Sequence, residues 1–197
     1  MERIELVGNI MIDTLAANLD QARQRETYRA YGLEPGKYVY VTLHRPANVD
    51  DPAKLQNIMD ALARVSSDFP VLFPAHPRTR KILDSMGYQP DDASQLKLIE
   101  PIGYHDSICL VEIARFVLTD SGGLQEETTY LRIPCLTLRP NTERPVTVTQ
   151  GSNRLTSVDA LKRDIQAVLG WTSSGLRIPE LWDGRTAERV VEALLKR

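Results

Sequence analysis

The run Asp120-Ser121-Gly122-Gly123-Leu124-Gln125-Glu126-Glu127 carries the densest chemistry in the sequence. Glycines let backbone amides approach a ligand closely, and the unpaired amides of a helix's first turn, with its dipole, favour an anion. The Ser121 hydroxyl adds a donor. A Ser-Gly-Gly turn by itself more often serves only as a tight connection. The acidic pair beside it has two readings. Carboxylates near a helix start suit the dipole, or one of them accepts hydrogen bonds from ribose hydroxyls, as acidic residues do in nucleotide folds. A phosphate cradle so close to a ribose acceptor would describe a nucleotide site.

Other polar residues stand at comparable places. His44-Arg45-Pro46-Ala47-Asn48 and Pro74-Ala75-His76-Pro77-Arg78 each follow an apolar run, as does Arg139-Pro140-Asn141-Thr142-Glu143-Arg144-Pro145. A histidine at a strand end commonly does no more than bond loop backbone. Pro-flanked arginines after a strand suit a pyrophosphate. The three histidines have no metal-ligand spacing and no cysteine cluster beside them, so no metal site is expected. There is no Gly-x-Ser-x-Gly nucleophile turn, and no Gly-Lys-Ser/Thr completes a Walker loop. No cofactor is called for.

The elements that would hold these residues alternate. Strands are expected at 38–43, 71–73, 96–99, 116–119 and 135–138, where β-branched, aromatic and apolar residues cluster. Amphipathic stretches lie between and after them, at 51–67, 78–86, 106–114, from Ser121 to Leu131, and at 158–169. Asp51 suits the cap and Pro52 the first turn of the first of these. Strands separated by helices imply βαβ units and a parallel sheet covered on both faces, an α/β fold. Ligands of such sheets bind beyond the carboxyl ends of the strands, where the polar runs fall. The segment 18–32 is polar and Arg-rich, helical in pattern with little apolar face. The final helix gathers Val190, Val191, Leu194 and Leu195 on one side, which would want a cover.

The chain's 197 residues suffice for one domain with a sizeable core. A net charge of −2 offers no basic field for nucleic acid or an anionic membrane. No apolar run approaches the roughly 18 residues of a membrane span, and the N-terminus lacks a signal-peptide stretch. Cys109 and Cys135 read as reduced core residues, so a cytoplasmic location is expected.

The runs Thr42-Leu43-His44-Arg45-Pro46-Ala47-Asn48-Val49, Leu118 through Glu127, and Thr142-Glu143-Arg144-Pro145 together resemble the bacterial non-hydrolysing UDP-N-acetylglucosamine 2-epimerases. Val7-Gly8-Asn9 with Ile12-Asp13 is similar to that family's interdomain linker, and Leu181-Trp182-Asp183-Gly184 to its closing segment. The resemblance implies a Rossmann-like domain, the C-terminal half of a two-domain GT-B fold. Residues 1–17 would be linker and first helix, 18–180 the UDP-binding domain, and 181–197 a closing segment and helix against a missing N-terminal domain. Ser121, Gly122 and Gly123 would hold the diphosphate and Glu127 the ribose. His44, the one catalytic candidate, would with Arg144 contact the phosphates and assist the leaving group. The loop from Ile102 to Ser107 would offer backbone contacts to uracil.

The implied reaction interconverts UDP-N-acetylglucosamine and UDP-N-acetylmannosamine by eliminating UDP and adding it back, a step in polysaccharide biosynthesis, with the full-length enzyme a homodimer. The carboxylates that move the proton would belong mainly to the other domain, so this chain alone is expected to be inactive. Regulated members carry Glu where Ala47 stands. There it joins residues matching Arg45 and His76 in binding an activating UDP-N-acetylglucosamine, so these two are remnants of an activator site. The alternative readings are the donor domain of a GT-B glycosyltransferase, possibly split, and a nucleotide-binding module without catalysis.

Overall fold

The computed structural model describes residues 4–91 and 94–196. Six strands form one parallel sheet in the order β3-β2-β1-β4-β5-β6. They are β1 (Val39–Thr42), β2 (Val71–Pro74), β3 (Leu96–Ile99), β4 (Phe116–Thr119), β5 (Cys135–Leu138) and β6 (Asn153–Thr156). The five expected strands are present. The sixth, β6, carries Asn153, Arg154 and Thr156 and so lacks an apolar signal.

Among the described residues the helices are α1 (Ile10–Arg23), α2 (Pro46–Val49), α3 (Pro52–Val65), α4 (Pro77–Ser85), α5 (Tyr104–Glu112), α6 (Gly122–Leu131), α7 (Pro145–Thr149), α8 (Leu161–Leu169) and α9 (Thr186–Leu195), with short 3-10 turns at Thr27–Tyr31 and Ser173–Gly175. Asp51 caps α3 by accepting from the amides of Ala53 and Lys54. α1 runs through residue 17 to Arg23, and a separate 3-10 turn follows, so 18–32 is not one helix.

Strand alternation divides the core. Val39, Val41, Phe73 and Leu118 pack with Leu55, Ile58 and Met59 of α3 and with Leu161, Ile165 and Val168 of α8. Tyr38, Tyr40, Leu72 and Val117 face the other way, onto Leu110 and Val111 of α5 and Leu124 of α6. Each fully buried side chain of this kind contributes about 1.5–3 kcal/mol before entropy is counted. Ile12, Leu15 and Ala22 of α1 form a third cluster with Ile108, Cys109 and Trp182. Both cysteines are buried and unpaired.

The topology reverses between β1 and β4, which are sequence-distant neighbours with Thr42 opposite Thr119. Chains leave such a switch point toward opposite faces, opening a crevice at the carboxyl ends of the strands. The residues just beyond are His44 on one side and Asp120-Ser121 on the other. α9 begins where Asp13 of α1 accepts from the Thr186 and Ala187 amides at 3.0 and 2.7 Å. Its outer side leaves Val191, Leu194 and Leu195 at 55%, 64% and 82% exposure. Among the described residues no helix is long and apolar enough to cross a membrane.

Candidate functional site

Asp120, directly after β4, is completely buried. Its carboxylate accepts from the amides of His44 (3.1 Å) and Arg45 (2.9 Å) and from Asn48 Nδ2 (3.1 Å), while His44 Nδ1 lies 3.1 Å from Oδ1. Burial alone would push this carboxyl up. The hydrogen bonds, led by the one from the His44 side chain, nonetheless hold it below its ordinary value. A carboxylate behind Nδ1 favours the tautomer with the proton on that nitrogen and the lone pair on Nε2, at the other end of the ring. Sequence reasoning assigned Asp120 no role. Its signal was a carboxylate between a buried strand and a glycine turn, where an ionised group needs several donors.

Ser121 caps α6 loosely, its Oγ accepting from the Leu124 amide at 3.4 Å, and its own amide donates to Thr119 Oγ1 at 3.0 Å. Gly122 and Gly123 form the first turn of α6, whose amides have no acceptor in the preceding turn. Neither glycine has a positive φ, and a Cβ at either would meet nothing within 4 Å among the described residues. The fold itself therefore does not require glycine here. A ligand lying against the backbone would.

Glu126 and Glu127 fall in the second turn of α6, one turn deeper than the dipole reading needs, and both are buried. Glu127 Oε1 accepts from the Tyr104 hydroxyl at 3.1 Å. Burial pushes the Glu127 carboxyl up to about 7, the Tyr104 bond pulling against it and the Glu126 charge adding to it. Glu126 Oε1 accepts from Asn9 Nδ2 at 2.9 Å and lies 2.8 Å from Arg144 Nε.

The loop bearing Arg144 is pinned to α6. Thr142 Oγ1 donates to Gln125 Oε1 at 2.5 Å and accepts from the Arg144 amide at 2.9 Å. Gln125 is buried and also accepts from Asn153 Nδ2 at 3.1 Å, so the strand missed in the sequence anchors this loop. Arg139 forks onto Glu143 with two contacts of 2.7 Å, and these bonds hold the Glu143 carboxyl down to about 2. The guanidinium of Arg144 remains partly exposed beside the start of α6.

Ile102 packs against the Tyr40 side of the core, and Ser107 Oγ lies 2.8 Å from Tyr40 Oη. Tyr104 ties this segment to Glu127 of α6, and from Tyr104 on it is the first turn of α5 rather than the loop expected over 102–107. Arg45 and His76 stand on the other flank. The His76 ring is 6.2 Å from that of His44, and its Nδ1 caps α4 by accepting from the Arg78 amide at 3.3 Å. Asp50 is engaged by Arg78 Nε at 2.6 Å, and Asn48 Nδ2 also donates to the Leu138 carbonyl at 2.9 Å. Ile102 and Ser107 pack toward Tyr40, whereas Ser121, Gly122, Gly123 and Glu127 belong to α6 or its cap, and Arg144 reaches it through Glu126. Asp120 links His44 to it, and Arg45 and His76 sit beyond. Among the described residues no group of three or more His, Cys, Asp or Glu side chains could hold a metal ion.

The Glu127 value has a consequence for stability. Between the ordinary carboxylate value and about 7 the folded chain binds more protons here than the unfolded one, so this group makes stability fall as pH rises through that window. Glu127→Gln removes the ionisation. Melting curves at pH 5 and pH 8 are expected to show a smaller loss on going to pH 8 in the variant than in the wild type. Equal losses would place the Glu127 pKa near its ordinary value.

The sequence matches the family described as UDP-N-acetylglucosamine 2-epimerase over residues 1–195. It is 36% identical to the UDP-N-acetylglucosamine 2-epimerase of Methanocaldococcus jannaschii, covering 98% of this chain and 54% of that protein. It is 35% identical to the UDP-2,3-diacetamido-2,3-dideoxy-D-glucuronate 2-epimerase of Pseudomonas aeruginosa, over 98% of this chain and 53% of that one. The chain therefore spans about half the length of these curated relatives. A crystal structure of the M. jannaschii enzyme in complex with UDP-GlcNAc and UDP superposes with a TM-score of 0.87 at 35% identity, covering all of this chain and 56% of that one. With its sequence matched almost end to end and its fold reproduced, this chain belongs to the UDP-N-acetylglucosamine 2-epimerase family.

Proposed function

We propose that this chain is the UDP-binding half of a nucleotide-sugar 2-epimerase that interconverts UDP-N-acetylglucosamine and UDP-N-acetylmannosamine. In this reaction a base removes the C2 proton of the sugar as the C1–oxygen bond breaks, giving a glycal and UDP. C2 is reprotonated from the other face and UDP returns to C1. The C2 proton is weakly acidic, so much of the barrier reduction must come from stabilising the departing diphosphate. The observation that carries this reading is the Gly122-Gly123 first turn of α6, bare of side chains, with the Arg144 loop pinned to the same helix and His44 held by the adjoining Asp120. Glu127 would accept from the ribose hydroxyls, and the 102–107 segment would border the base.

Calorimetry with UDP tests the assignment. Ser121→Ala, Glu127→Ala and Arg144→Ala each remove a charged-partner hydrogen bond worth about 1.5–3 kcal/mol, roughly tenfold or more in affinity. Unchanged affinity in all three, with folding intact, would sink it. The chain alone is expected to bind UDP but not to epimerise, because half the cleft and its proton-transfer carboxylates would lie in another domain. Interconversion of the two nucleotide sugars by this chain alone would refute that. The substrate assay should include the diacetamido glucuronate sugar, since the relative named for it is nearly as similar as the one named for UDP-N-acetylglucosamine.

The exposed side of α9 would pack on the other domain. Amide exchange in α9 should then be slower in the full-length protein than in this chain. Equal rates would remove the proposed contact.

Ala47 cannot supply the carboxylate that regulated members use for an activator. Asp50 and Asn48 are committed to Arg78 and to Asp120, which leaves neither as a free substitute. Losing one buried charge-assisted bond costs about 1.5–3 kcal/mol. Starting from pure UDP-N-acetylmannosamine, the full-length enzyme is therefore expected to turn over without a lag. A lag relieved by trace UDP-N-acetylglucosamine would show that activation survives.

A further inference from the structure

The chain enters the domain through a tight crossing. Gly8 has φ +114°, and a Cβ there would stand 2.5 Å from the Leu181 carbonyl and 2.7 Å from Thr186 Oγ1. Arg189 Nη1 donates to the carbonyls of Val7 at 3.2 Å and Leu181 at 3.3 Å, clamping the same turn. Ahead of the crossing, Ile4 and Leu6 are exposed. Asn9, directly after it, uses both ends of its side chain. Oδ1 caps α1 by accepting from the Met11 amide at 3.0 Å, and Nδ2 donates to Glu126 Oε1 at 2.9 Å.

Glu126 is only 5% exposed. Its Oε1 is shared between Asn9 Nδ2 and Arg144 Nε, the latter at 2.8 Å but without the alignment of a hydrogen bond. Its Oε2 is buried and has no hydrogen-bond partner among the described residues. A buried carboxylate that crowds two donors on one oxygen and leaves the other bare is underused, and such a group calls for an explanation beyond packing.

We propose that Glu126 is a positioning residue that couples the anion-facing Arg144 to the incoming chain at Asn9. The inference rests on the reading of Arg144 as a diphosphate contact. When a nucleoside diphosphate draws the guanidinium toward itself, Glu126 loses its cation and depends on Asn9, so the Asn9 bond tightens. By linkage the effect is reciprocal: whatever loosens Asn9 raises the cost of releasing Arg144 and weakens nucleotide binding. The crossing at Gly8 gives this bond leverage, because the segment leading into the domain is held there between Glu126 and the Arg189 clamp.

Asn9→Asp tests the coupling. It keeps the oxygen that caps α1, since aspartate caps helices as well as asparagine does, but it replaces the donor to Glu126 with a second carboxylate. UDP affinity is expected to fall about tenfold, within the usual range of coupling between sites. Combining Asn9→Asp with Glu126→Gln reverses the polarity of the bond, the amide now lying on the helix side. Affinity should return to within about threefold of wild type. Losses that simply add would mean two independent structural roles and would overturn the proposal.

Wild-type hydrogen exchange gives a readout that needs no variant to fold. UDP should slow exchange of the Met11 and Ile12 amides, and unaltered exchange at saturating UDP would overturn the coupling. The two readings fail differently. A wild-type chain that does not bind UDP defeats the nucleotide assignment and the coupling with it. A wild-type chain that binds UDP, with Asn9→Asp binding equally well, defeats the coupling alone.

Discussion

Replacing Gly122 and Gly123 together by valine is expected to lower UDP affinity about a hundredfold or more while leaving the melting temperature within a few degrees of wild type. The separation follows from geometry. Neither glycine has a positive φ, and a Cβ at either would meet nothing within 4 Å among the described residues. Glycine inside a helix is worse than valine by a few tenths of a kcal/mol, so the fold loses nothing. A diphosphate against the first turn would lose its approach to two amides, each charge-assisted bond being worth about 1.5–3 kcal/mol. Calorimetry with UDP and a thermal melt on the same sample check both halves. Affinity within threefold of wild type would remove the anion from this turn, and a large fall in melting temperature would make the glycines structural instead.

The second large effect is on folding. Asp120→Ala is expected to destabilise the chain by about 3–5 kcal/mol, the usual result of removing one partner from a buried charged network. The amides of His44 and Arg45 and the Asn48 side chain would all lose their acceptor at a fully buried site. For a chain of this length that is roughly a 10 °C fall in melting temperature. Asp120→Asn should cost less, because one acceptor oxygen remains.

The pH dependence distinguishes charge from shape. The folded Asp120 carboxyl lies below its ordinary value, so its contribution is complete above about pH 4 and is lost as pH falls through the folded value. The stability gap between wild type and Asp120→Asn should therefore narrow in acid. A gap that stays constant down to pH 2 would mean that the charge contributes nothing. In Asp120→Ala His44 loses the group that orients its ring, whereas Asp120→Asn leaves it one uncharged acceptor. UDP affinity should fall in Asp120→Ala, and retention of full affinity by a folded Asp120→Ala would detach His44 from the nucleotide.

What the sequence determined by itself was the alternation of elements and the fall of polar residues at the strand ends. Short apolar and β-branched runs such as Val39-Tyr40-Val41 and Phe116-Val117-Leu118 must be strands buried on both faces, because nothing in them could face water. The polar residues immediately after them then lie on one rim of a parallel sheet. The Ser121 cap and the glycine first turn of α6 were legible for the same local reason, since capping and glycine placement are written within a few residues.

Contacts between distant segments decided the rest. β6 has no apolar pattern. It is a strand because Asn153 and Thr156 find buried partners in Thr137, Gln125 and Asp164. α1 hides Ile12, Leu15 and Ala22 against Ile108 and Cys109 of α5 and against Trp182, a pairing that the residues of α1 by themselves do not specify. The switch point between β1 and β4 placed Asp120 behind His44, and the crossing at Gly8 brought Asn9 to Glu126 across 117 residues of chain. A hydrogen bond or a buried charge is satisfied in three dimensions. Its partner is therefore fixed by the order in which strands pair, which the local pattern of residues does not encode.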